Sequence, residues 1–281
     1  MDDFDRAIFD RRAAEWRYII TDMICRAGTG HLGGCLSLVE IIMTLYYRIM
    51  KVDPENPKWP ERDRLILSKG HAAATMYVAL AYKGFFPLSW LPTLKADNTR
   101  LDTHCNQKLT PGVEMTTGAL GQGLSAACGF ALAARLDRKN HRVFCIIGDG
   151  ESQEGLVWEA AMFAAHQELD NLVAITDYNK LQIDGFVRDV VDIEPLLEKW
   201  RAFGWHAFQM DGHDWDDIYN TIKKATALRG GPTMIIAHTV KAKGCSGLEN
   251  KRESHNVRVP DRKAYEEIMS MLNSKDIALP Y

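Results

Sequence analysis

The chain has 281 residues, 46% of them hydrophobic, enough to bury the core of one large α/β domain. Lysine and arginine number 34 against 37 aspartate and glutamate, a net charge of −3 that argues against a nucleic-acid or membrane-surface binder and points to small ligands. The six cysteines are scattered without a CxxC pair, which predicts buried free thiols in a reducing, cytoplasmic setting. The charged start MDDFDRAIFDRR lacks the pattern of a signal peptide, and no run reaches the roughly 18 apolar residues of a membrane span.

In chain order, Trp16, Ile19, Ile20, Met23, Ile24 and Ala27 recur at helical spacing, and Gly28 is a plausible stop. The loop GTGHLGG leads into a second apolar helix over 36–49, and a Pro-rich stretch then gives way to the short buried strand LILS. His71 opens an Ala-rich helix, and residues 95–117 read as a long loop, which at that length is usually functional. Beyond it, strands over 143–147, 172–176, 206–210 and 233–237 alternate with helices over 120–136, 153–168, 195–203 and 215–227. Apolar strands separated by helices predict a parallel sheet covered on both faces, in a single domain over 1–281. That domain is expected to have a helical segment over 1–60 and a tail over 243–281, irregular to Pro260 before a last helix over 262–272.

Gly28, Gly30 and Gly33 satisfy GxGxxG, with Asp53 downstream, but that fingerprint requires a strand feeding the glycine turn. Here an amphipathic helix feeds it, and a dinucleotide site is rejected.

VFCIIGDGESQEG has the opposite character: an apolar strand ending in Gly148-Asp149-Gly150 and entering a helix. Ligands of open parallel sheets bind beyond the carboxyl ends of strands, where a carboxylate can hold a hard cation against a phosphate. A bare Asp-Gly turn without ligand is the simpler alternative. The next strand, LVAITDYNKLQIDG, ends in Asn179 about 30 residues on, the length of one strand–helix–strand unit, so Asp149 and Asn179 should emerge side by side. An amide oxygen and a backbone carbonyl such as that of Leu181 complete an oxygen set suited to Mg²⁺.

GDG, about 30 residues, then Asn resembles the thiamine diphosphate motif, and GDGESQEG…WEAA…DNL…DYNKLQIDG resembles the transketolase family in particular. TGHLGGCLS, LILSKGHAAATMY, PGVEMTTGALGQGLS, DGHDW and HTVKAKG resemble further segments of that family in the same order, over roughly residues 10–260. The resemblance implies thiamine diphosphate and Mg²⁺ (Ca²⁺ or Mn²⁺ as substitutes), with Asp149, Asn179 and the Leu181 carbonyl as metal ligands. It places His71, Gly150, Glu151, Asn179 and His255 at the cofactor and Gly118, Leu120 and Ile183 beside its rings. His31, His104 and His255 are implied to meet the sugar, His104 and His255 moving protons and His31 recognising a hydroxyl. The other five histidines read as structural. Glu154 and Glu159 match a carboxylate network facing the partner active site.

Complete members of the family are more than twice this length, and the glutamate that activates the pyrimidine ring lies in their second domain. The resemblance therefore implies the N-terminal subunit of a split enzyme, with a C-terminal pyrimidine-binding partner subunit in an α₂β₂ assembly. Three departures stand near the sugar: Leu101-Asp102-Thr103 before His104 where Pro-Gly is common, Asn256 after His255, and Lys180 after Asn179. They suggest an unusual ketose, branched or sulfonated. The α subunit of a 2-oxo acid dehydrogenase shares GDG…N but not SKGH or TTGALGQG, and a non-catalytic thiamine diphosphate-binding module remains a third alternative.

Overall fold

A computed structural model describes residues 3–272 and 277–281. The chain runs α1 (Asp3–Arg26), β1 (Thr29–Gly30), α2 (Leu32–Leu36), α3 (Val39–Thr44), β2 (Arg64–Leu67), α4 (Ala73–Lys83), α5 (Gln122–Leu136) and β3 (Val143–Gly148). It continues α6 (Gly155–His166), β4 (Leu172–Tyr178), α7 (Val187–Val190), α8 (Leu196–Ala202), β5 (His206–Asp211), α9 (Trp215–Ala227), β6 (Thr233–His238), β7 (Val257–Arg258) and α10 (Arg262–Ser270).

Five strands form a parallel sheet in the order β2-β3-β4-β6-β5, the α/β architecture expected from the alternating pattern. Because side chains alternate across a strand, each strand feeds two cores. Phe144, Ile146, Val173, Ile175 and Ile235 face a core closed by α1, α3, α4 and α9. Cys145, Ile147, Leu172, Ala174 and Ile236 face a second core closed by α5, α6 and α8. Burial on both faces is why these strands read as continuous apolar runs. All six cysteines are buried and free, and among the described residues no helix is long and apolar enough to cross a membrane.

The structure differs from the sequence pattern mainly next to the site. The helix expected over 36–49 begins earlier and is broken: α2 and α3 are separated at Leu38, whose φ/ψ of −101°/0° leaves the helical region, and a π-helical turn over Leu45–Ile49 follows. The helix expected over 153–168 is a 3₁₀ turn over Gly150–Gln153, then α6, with extended Glu154 between them. The tail is not wholly irregular. β7 pairs antiparallel with β1, Gly30 opposite Val257, and two residues of ladder bring His255 to His31.

Candidate functional site

Asp149 follows the last residue of β3 and Asn179 the last residue of β4, and the two strands pair in register up to Gly148 opposite Asp177. Both residues line a cavity of about 310 Å³ at the carboxyl edge of the sheet. Asp149 is 3% exposed; its Oδ1 accepts the Gly150 N–H at 2.7 Å and its Oδ2 the Lys180 N–H. Asn179 Oδ1 accepts the Leu181 N–H at 3.1 Å, while its Nδ2 donates to Asp177 at 3.1 Å, so the amide has one orientation. Burial, reinforced by the neighbouring Asp177 carboxylate, pushes the Asp149 carboxyl up to about 6.

A metal ion fits this place on the chemistry of the donors. A carboxylate, an amide oxygen and the Leu181 carbonyl are an all-oxygen set, and the carboxylate is buried with its two oxygens each accepting a backbone N–H. The Leu181 carbonyl already accepts an N–H of the Lys241 ammonium at 2.6 Å, so it faces positive charge, and its second lone pair stays available. Among the described residues no group of three or more His, Cys, Asp or Glu forms a metal cage.

Four of the family-matching histidines converge on the cavity. The ring of His31 lies 5.2 Å from that of His71, 5.8 Å from His104 and 5.5 Å from His255, and His71 lies 5.6 Å from His255. Burial lowers all of them. His31 falls to about 4, with His104 and three lysines adding to the effect; His255 falls to about 3 beside Lys241; His71 and His104 are also lowered. The imidazoles are therefore neutral near pH 7 and can accept as well as donate protons. His31 Nδ1 is buried with no hydrogen-bond partner among the described residues, an atom that a ligand in the cavity can satisfy. His104 lines the cavity despite the departure Leu101-Asp102-Thr103, and the Tyr77 hydroxyl contacts the carbonyls of Asp102 and His104 at 3.0 Å each.

The cavity is also lined by Gly118, Leu120, Gly150, Glu151, Glu154 and Ile183. The Glu151 carboxylate accepts from Ser68 Oγ and from the Gly121 and Gly148 N–H groups, tying three motifs together. Glu154 and Glu159 are exposed at the start of α6. Sequence patterns missed Lys69, Asp177 and Lys241, which are 2%, 0% and 3% exposed. Asp177 accepts from Lys69, Thr239, Ser37 and Asn179, and the load of donors holds its carboxyl down against the effect of burial. Burial, with Lys69 nearby, lowers Lys241 to about 8.

Residues 9–270 match the family described as transketolase, thiamine diphosphate binding domain. The chain belongs to the transketolase family. It is 51% identical to the 6-deoxy-6-sulfo-D-fructose transketolase subunit of Clostridium sp. (strain MSTE9), over 87% of this chain and 89% of that one. It is 38% identical to one of the subunits of the apulose-4-phosphate transketolase of Phocaeicola vulgatus, over 91% and 90%. Among solved structures, transketolase from Campylobacter jejuni superposes with a TM-score of 0.89 at 32% identity, covering all of this chain. The chain spans 45% of that longer transketolase, and it is a transketolase-type subunit carrying the thiamine diphosphate-binding domain.

Proposed function

We propose that this chain is the cofactor-anchoring subunit of a two-chain, Mg²⁺- and thiamine diphosphate-dependent transketolase that moves a two-carbon ketol unit from an acidic ketose to an aldose. The observation that carries the proposal is the meeting, in one cavity, of the Asp149–Asn179–Leu181 oxygens with four neutral imidazoles.

Thiamine diphosphate, when bound, supplies the electron sink that lets a carbon–carbon bond of the ketose break. The chain's own residues do the rest. Asp149, Asn179 and the Leu181 carbonyl hold Mg²⁺, and Gly150 and His71 meet the diphosphate. Gly118, Leu120 and Ile183 flank the rings. His255 Nδ1 lies 3.1 Å from the Lys241 ammonium, a group with no acceptor, so Nδ1 accepts and the proton sits on Nε2, ready to donate to a sugar oxygen. His104 exchanges the second proton, and His31 orients a hydroxyl.

A second subunit is the proposed source of the pyrimidine-activating glutamate and of the anchors for the sugar's anionic tail, in keeping with relatives that are named as transketolase subunits. Exposed apolar side chains on α6 (Leu156, Met162, Phe163) and on the segment after β4 that includes the end of α7 (Ile183, Phe186, Val190, Val191) support such a partner. The Gln153 side chain donates to the Val191 carbonyl at 2.9 Å and so links the two groups beside the cavity. Glu154 and Glu159 lie on α6 or at its N-terminal border and would meet the partner there, an α₂β₂ complex being the economical closed form. Relatives named for 6-deoxy-6-sulfo-D-fructose and apulose 4-phosphate make a sulfonated or otherwise unusual ketose the first donor to try.

The test is ketol transfer by the purified chain, alone and with its second subunit, across xylulose 5-phosphate, sulfofructose and apulose 4-phosphate. Transfer only by the pair, and best from one of the last two donors, is expected. Turnover by the chain alone removes the split-enzyme proposal, and preference for xylulose 5-phosphate removes the unusual donor.

A further inference from the structure

The DGHDW segment matches the family, yet none of its residues reaches the cavity. Its histidine, His213, lies between β5 and α9 in a buried network that leads there. Glu40, on α3 and 6% exposed, accepts both contacts from the Arg17 guanidinium, at 2.6 and 2.7 Å, and lies 3.1 Å from His213 Nδ1. Burial alone would raise the Glu40 carboxyl; Arg17 and His213 hold it at about 2, so it is a carboxylate and His213 Nδ1 carries the donated proton. That leaves Nε2 as an acceptor, and it takes the Val240 N–H at 2.9 Å.

Arg17 also donates from Nε to the Lys243 carbonyl at 2.8 Å. One carboxylate thus aligns two side chains that grip the 240–243 turn at its two ends, His213 accepting from Val240 and Arg17 donating to Lys243. The grip matters because Ala242, inside the turn, has φ +60°, a left-handed conformation that a side-chain-bearing residue keeps only when its surroundings enforce it. The turn carries Lys241, whose ammonium reaches the Leu181 carbonyl and His255 Nδ1.

We infer that Arg17, Glu40 and His213 are positioning residues that clamp the strained 240–243 turn and thereby set Lys241 against the Leu181 carbonyl and His255. The geometry of the clamp stands on its own contacts; its consequence for the cofactor rests on the proposed function above.

The test reads the turn without any ligand. Lys241 is 3% exposed and should resist an amine-acylating reagent in the full ligand-free chain, as should Lys69, which is 2% exposed and held by Asp177 instead. In His213→Phe, Lys241 is expected to react at least about tenfold faster, by peptide mass spectrometry, while Lys69 stays protected because only a local opening has changed. Glu40→Gln is the second variant. An amide there presents a donor to Nδ1 and favours the tautomer that cannot accept from Val240, so the same selective exposure is expected, and it carries the test if His213→Phe does not fold. Lys241 remaining protected in a folded variant, or Lys69 becoming reactive in parallel, overturns the inference. Loss of Mg²⁺-dependent thiamine diphosphate binding by the wild-type chain together with its second subunit would instead count against the proposed function alone.

Discussion

Asp149 carries opposing consequences for stability and for binding. Its carboxylate is buried beside Asp177, an arrangement that costs folding free energy until a cation arrives. Asp149→Asn keeps the shape and removes that charge. The ligand-free variant should unfold within about 4 °C of wild type, because losing the charge offsets turning an amide N–H toward one of the two backbone N–H groups that Asp149 accepts, yet lose Mg²⁺-dependent thiamine diphosphate affinity by more than about 100-fold, since outer-shell changes alone reach that range. Calorimetry and thermal melts with and without Mg²⁺ and cofactor check both halves; an undiminished ligand-induced rise in Tm defeats the metal assignment. Asp149 and Asn179 were legible because strand-ending residues one βαβ unit apart imply adjacency. Lys69, Asp177 and Lys241 were not, because a charged residue in a sequence reads as solvated surface unless its partner is known, and Lys69 meets Asp177 108 residues away while Lys241 meets the Leu181 carbonyl 60 residues away.

Elements converge on this site through close backbone approach. Gly123, in the first turn of α5, donates its N–H to Ser68 Oγ at 3.1 Å, and a Cβ there would sit 2.3 Å from that same oxygen. Gly123→Ala should therefore force β2's end away from α5, cost about 1–3 kcal/mol, and loosen the Glu151 contacts that join the motifs. Gly129, further along α5, has nothing within 4 Å of the place a methyl group would take, so Gly129→Ala should instead stabilise by about 0.5–1 kcal/mol. Urea denaturation of the two variants gives the comparison, and equal effects at both positions remove the packing argument. The strands and α5, α8 and α9 were readable from period and apolar runs. The β1–β7 ribbon was not: two residues per strand leave no periodic signal, although it brings His255 to His31. The break at Leu38 was hidden for a related reason: it lies next to Ser37, whose Oγ makes a tertiary bond to Asp177 at 2.7 Å.

For the whole molecule, burial lowers His31, His71, His104, His141, His238 and His255 below the ordinary imidazole range. An unfolded chain then binds protons that the native chain refuses, and stability falls as the pH drops through about 6.5 toward 4. Asp149, Glu114 and Glu151, raised by burial, act in the opposite sense, but they are fewer. The ligand-free chain should lose at least about 4 °C in Tm between pH 7.5 and 5, and a flat profile would contradict the buried neutral imidazoles.

The same cavity is bordered by a surface that a solitary protein would not favour. Phe163 is 42% exposed and Met162 56% on α6, and Ile183 reaches 63% on the loop that lines the cavity. On the proposed function, a second subunit docking here would gain this apolar area, while an exposed charge placed there would have to be desolvated on association. Phe163→Lys should accordingly weaken association with the partner by about tenfold or more, a loss typical of a buried aromatic anchor, and leave the melting temperature of the free chain within about 2 °C. Sedimentation of the mixed subunits measures the first and a thermal melt the second. Unchanged association would place the interface on another face of the molecule and detach Glu154 and Glu159 from it, because these carboxylates share the α6 region with Phe163.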